Sequence, residues 1–185
     1  YARDYADGAL LAGINLVAQD MKIQVEFNPE HVVAYRLLGY ENRAIADSDF
    51  RVDSVDAGEV GAGHRVTALY EVVLTGQSIP EIDPSEFVQV RVRWKDLGAS
   101  AEDPAYETSA SLVPGDVVQP ADADDDFLWA ASIAAFAEIL KESPFAQRAD
   151  LDTIETITTA QAMRDDGRAR FVELFGQARA MLPSP

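Results

Sequence analysis

Apolar and polar residues alternate with a period of two through much of the first two-thirds of the chain. Between residues 17 and 27, Val17, Met21, Ile23, Val25 and Phe27 share one face, with Lys22, Gln24 and Glu26 on the other. That period predicts a half-buried strand. Asn28-Pro29 ends it, because proline has no N–H to give to a ladder. Residues 32–40 predict a second strand. Apart from Arg36 its apolar side chains occupy both faces, which predicts a central place between two layers. Residues 65–74 predict a third strand and residues 87–94 a fourth, with Val88, Val90, Val92 and Trp94 inward and Gln89, Arg91 and Arg93 outward. A weaker alternation over 107–113 predicts a fifth.

The period becomes helical in the last third. Leu128, Ala131, Ala135, Phe136, Ile139 and Leu140 form one stripe of a helix predicted over 127–142. Asp124, Asp125 and Asp126 stand before it, suited to an N-cap and to the positive end of the helix dipole. Ser143-Pro144 stops it. Residues 150–163 predict a second helix, disfavoured by its β-branched residues, and 165–182 a third, with Phe171, Leu174, Phe175, Ala178 and Leu182 aligned. Strands followed by helices predict an α+β fold. The expected architecture is an antiparallel, β-sandwich-like part over about residues 14–113 with a helical C-terminal part packed on it. The expected division is a β-rich part at 14–118 and a helical part at 119–185, forming one compact unit, with 114–123 as the link. Residues 1–13 show no clear period and read as the tail of an upstream domain.

Composition narrows the functional classes. The 185 residues carry a formal charge of −17, from 32 acids and 15 bases. Such a surface repels phosphate backbones and anionic membranes, so no nucleic acid partner and no membrane insertion are expected. The absence of cysteine removes thiol catalysis, disulfides and thiolate metal sites. No apolar run is long enough for a spanning helix. The chain begins at Tyr1, and any targeting signal is expected upstream of it.

Candidate chemistry concentrates between residues 40 and 64. Gly58, Gly61 and Gly63 occur in DAGEVGAGHR, but the predicted strand follows them and no Lys-Ser/Thr closes the loop. They are expected to set a turn or bulge through positive φ, rather than to cradle phosphate. Asp47, Asp49, Asp53, Asp56 and Glu59 form an acidic loop that could supply oxygen ligands to calcium, without the EF-hand spacing. Asp122, Asp124 and Asp126 match EF-hand loop positions one, three and five, yet Phe127 replaces the required glycine and Ile133 the bidentate glutamate, so capping is the better account. His31 and His64 lie in no zinc motif, and no nucleophile elbow is present. Arg36, Glu41 and Arg43 could form an ion-pair network.

Three words of the sequence carry a family resemblance: KIQVEFNP at 22–29, YRLLGYENR at 35–43 and DAGEVGAGHRVTALYE at 56–71. In that order they resemble the C-terminal domain, of unknown function, of bacterial proteins carrying a von Willebrand factor type A domain. The likeness extends over roughly residues 21–182. It implies an upstream type A domain in the same protein as a partner, and a cell-envelope or periplasmic setting. The adhesion motif Asp-x-Ser-x-Ser belongs to the type A domain and does not occur here. No catalytic residue and no cofactor follow from the resemblance.

The expected function is a non-catalytic interaction or scaffolding module with a protein partner. Tyr40, Glu41, Asn42, Arg43, Asp56, Glu59 and His64 are its interaction or structural candidates. The alternatives are a hydrolase using Glu41, Glu59 and His64, or a calcium-stabilised binding module.

Overall fold

The structure, a computed structural model, describes residues 15–39, 45–55, 57–75 and 86–182. Its elements follow the α+β order: six antiparallel strands, then three helices among the described residues. Contacts divide the chain into two compact units, the first ending at Val117 and the second starting at Val118. The proposed upstream tail at 1–13 lies outside the described residues.

The first unit contains β1 (Leu16–Phe27), β2 (Val32–Leu38), β3 (Gly58–Gly61), β4 (Leu69–Leu74), β5 (Val88–Lys95) and β6 (Tyr106–Leu112). Four strands form one sheet in the order β3-β1-β5-β6, and β2 pairs with β4 in a second sheet. The chain passes from β1 to β2 through a turn held by Asn28. Its Oδ1 accepts from the Glu30 N–H at 2.9 Å, and its Nδ2 donates to the Glu86 carbonyl at 2.9 Å. Val32, Phe87 and Val88 are buried, with Val25, Phe27, Val72 and Val90 packed around them. The Phe27 ring lies 4.5 Å from Tyr35 and 5.4 Å from Tyr70, joining the apolar face of the larger sheet to the smaller one.

Four details depart from the sequence reading. β2 is not central: it belongs to a two-stranded sheet, and Val33 and Tyr35 are exposed. β4 begins at Leu69 instead of Arg65. The glycine segment contains a short strand, β3, and of Gly58, Gly61 and Gly63 only Gly63 has positive φ, at 78°. Finally, Lys22 is 3% exposed and Ile23 is 50% exposed, the reverse of the expected pattern. Asp20, with φ of 59°, sits where the β1 register shifts against both neighbours. The bulge re-aims the strand, and the polar face beyond it is covered by a loop described below.

The second unit holds α1 (Asp125–Leu140), α2 (Leu151–Gln161) and α3 (Asp166–Met181). Asp124 caps α1, its Oδ1 accepting from Asp126 N–H at 2.8 Å and Phe127 N–H at 3.3 Å. This is the role expected of the aspartate run. Asp165 caps α3 by accepting from the Arg168 N–H at 2.9 Å. The core joins Phe136 and Ile139 of α1, Leu151 and Ile154 of α2, and Phe175 of α3. The threonines of α2 are reconciled with the helix by back-bonding: Thr158 Oγ1, fully buried, donates to the Ile154 carbonyl at 2.7 Å. Arg168 ties the helix ends together, 4.8 Å from the Trp129 ring centre and bonded to Asp126 and Gln161.

Candidate functional site

The most organised polar feature of the first unit is one face of its larger sheet. Cross-strand pairing sets Lys22 opposite Arg93, Gln24 opposite Arg91, and Arg93 opposite Glu107. Side chains two apart on a strand share a face, so Arg91, Arg93 and Lys95 form a cationic row down β5. In an ordinary antiparallel sheet such a row faces water. Here residues 45–55 lie against it, beginning with a short helical turn at Asp47–Asp49. Phe50, 3% exposed, anchors this loop by burying its ring.

Each cation of the row has fixed partners. Lys22 Nζ donates to the Val52 carbonyl at 2.6 Å. Arg93 donates to Asp53 at 2.7 Å, and lies 3.8 Å from Glu107. Lys95, only 2% exposed, lies 3.4 Å from Asp53 and donates to the Ser100 and Ala101 carbonyls at 3.0 Å each. Arg51 extends from the loop to Glu107 at 2.8 Å. Arg91 pairs with Glu26 and reaches Gln24. A buried ammonium is tolerated only when carboxylates and carbonyls replace its water, and Lys95 has both.

The electrostatics follow from these pairs. The hydrogen bond from Arg93 holds the Asp53 carboxyl below the usual aspartate range. Arg51 does the same for Glu107. The Ser100 backbone N–H, donating at 2.7 Å, lowers Asp103. All three acids therefore stay ionised to lower pH than free carboxylates do. Two open clefts border the network. One, of about 600 Å³, is lined by Phe27, Tyr35, Glu86, Phe87 and Arg91 among others. A smaller one, of about 320 Å³, lies between Gln24, Asp47, Phe50, Arg51 and Arg91. Such surroundings offer recognition by charge pairs and ring faces.

Of the seven residues singled out from the sequence, Tyr40, Glu41, Asn42, Arg43 and Asp56 lie outside the described residues. Glu59, in β3, and His64, in the turn after it, are both exposed. Arg36 pairs with Glu71 across β2 and β4, while Glu41 and Arg43 are not described. His31 is buried, its ring 6.3 Å from that of Phe87. Among the described residues no three acidic or histidine side chains converge as metal ligands. Asp53 of the acidic loop is bound to Arg93 and Lys95, and Asp124 to a helix N-terminus.

Sequence reasoning placed Asp53 in an acidic loop, with calcium as an alternative only, and Arg91 and Arg93 on the outward face; it passed over Arg51, Lys95 and Glu107. A signal was available. In a chain with twice as many acids as bases, three bases on alternate positions of one strand call for carboxylates nearby.

The family model described as "Uncharacterized protein YfbK, C-terminal" matches residues 12–181. "Uncharacterized protein YfbK" of Escherichia coli (strain K12) is 32% identical over 178 residues, covering 86% of this chain. The shared region is 29% of that relative, so the chain spans under a third of its length. No solved structure matches. With nearly the whole chain inside the matched region, the protein belongs to the YfbK C-terminal domain family.

Proposed function

We propose that the chain is a non-catalytic interaction or scaffolding module, following a von Willebrand factor type A domain in a bacterial envelope-associated protein. The observation that carries this reading is the clasp of residues 45–55 over the cationic face. Lys22, Arg51, Arg93 and Lys95 are each engaged by carboxylates or carbonyls of their own unit. An active site keeps reactive groups poised toward a substrate; this cluster satisfies its groups internally and fixes a surface. The relative's extra length supports the remainder of the reading, because most of that protein lies outside the shared region.

Two measurements test it. The chain and the remaining part of its own polypeptide, produced separately, should bind saturably in isothermal titration calorimetry. The isolated chain should also show no turnover across a panel of ester, peptide and glycoside substrates. Substrate-specific hydrolysis abolished by Glu59→Gln or His64→Ala would overturn the non-catalytic reading.

A further inference from the structure

We infer that β6 is a self-association edge, through which two copies of the chain join their larger sheets into one continuous sheet. The inference rests on strand geometry and stands apart from the identity of any upstream partner. Among the described residues the four-stranded sheet has two edges, β3 and β6. They are built differently. β3 has four residues, and its pairing with β1 shifts register twice. Short, irregular edges of this kind resist further pairing. β6 has seven residues, every one exposed, and pairs with β5 through seven successive positions without a shift. It contains no proline and no lysine, the residues that most often blunt an edge. Its outer backbone groups form a regular template for another strand.

The sequence of β6 selects a second copy as that strand. Antiparallel pairing about a two-fold axis at Ser109 sets Tyr106 opposite Leu112, Glu107 opposite Ser111, and Thr108 opposite Ala110. The two exposed apolar residues of the strand, Tyr106 at 52% and Leu112 at 51%, then cover each other twice. Cross-strand pairs of aromatic and aliphatic side chains are among the favourable ones. No like charges oppose: the strand's one charge, Glu107, meets a serine and keeps its contact with Arg51. A register centred on Glu107 would set two carboxylates face to face and is disfavoured. Tyr106 is already ordered, stacked 5.8 Å from Trp94 and donating its hydroxyl to Asp96 at 3.1 Å, so little side-chain freedom is lost on pairing.

The axis residue gives a direct test. Ser109→Cys introduces the chain's single thiol and places it opposite its own copy. Under mild oxidation this variant should form a disulfide dimer much faster than Ala110→Cys, whose partner lies off the axis. Sedimentation of the unmodified chain over a concentration series should show a monomer–dimer equilibrium. Ser109→Lys and Ser109→Glu, each opposing like charges, should sediment as monomers, while their equimolar mixture should recover the dimer. Circular dichroism of each variant establishes that it is folded. A monomer throughout the series, or a dimer that persists in both folded charge variants, would overturn the inference. In the first case the edge is left to a strand of different sequence.

Discussion

Phe175 is the most informative single position for the second unit. Its side chain is 1% exposed, with ring centres of Phe136 at 4.7 Å and Phe171 at 6.4 Å. Phe175→Ala removes the ring from the point where α1, α2 and α3 meet. Lost transfer energy plus the remaining cavity costs about 3–5 kcal/mol. A unit of this length has a total stability of roughly 3–10 kcal/mol, so the substitution removes a large fraction of it. Phe175→Leu keeps most of the volume and should cost about 1 kcal/mol. The two tryptophans make the assay specific. Trp94 lies in β5 and Trp129 in α1, 5.3 Å from Phe171. With Trp94→Phe as background, fluorescence during urea unfolding reports Trp129 alone. For a slope near 1 kcal/mol per molar urea, the Ala variant should move the midpoint down by about 3 M or leave the unit unfolded in water. A loss of less than about 1 kcal/mol, within the range of ordinary surface changes, would refute the reasoning that Phe175 organises this core.

Three further outcomes are expected. Asp53→Asn should lower the melting temperature at neutral pH, because it leaves Lys95 with the Ser100 and Ala101 carbonyls only. Asp53 and Glu107 have folded-state pKa values below their ordinary ones, so their contribution is complete above about pH 4 and is lost as pH falls through the folded values. Melting curves between about pH 6 and pH 3 should therefore fall more steeply for the unmodified chain than for the Asn variant; parallel profiles would contradict the assignment. Asp124→Ala should cost about 1 kcal/mol through loss of the α1 cap, and Asp124→Ser should restore most of it, as read by thermal unfolding. Calcium and EDTA should leave the melting temperature unchanged, since Asp124 and Asp126 are engaged by the α1 N-terminus and by Arg168; a rise with calcium would show that these carboxylates are available.

The order of the fold was legible in the sequence wherever burial and local period agree. Val88 and Val90 alternate with polar neighbours because their face of the larger sheet packs in one apolar cluster with Val32 and Val72. The α1 stripe and its aspartate cap follow from helical spacing and unsatisfied N–H groups, both of which are local. The three family words pointed to a bacterial C-terminal domain of unknown function for the same reason: they are contiguous and need no tertiary information.

What the tertiary structure decided is where polar residues go. Lys22, Arg91 and Arg93 read as the outward face of their strands, since a single strand's period cannot say what covers its polar side. Only folding brings residues 45–55 over that face and places Asp53 against cations some 40 positions away. Likewise β2 reads as a central strand from its apolar content, yet its sole ladder partner among the described residues is β4. Lys22 keeps the polar face expected of it but is buried because residues 45–55 cover that face, while Ile23, on the apolar face with Val25 and Phe27, stays half exposed. Strand existence, helix existence and capping are short-range properties that the chain determines by itself. Sheet order, edge identity and charge pairing depend on contacts distant in sequence, so the assembled structure alone determines them.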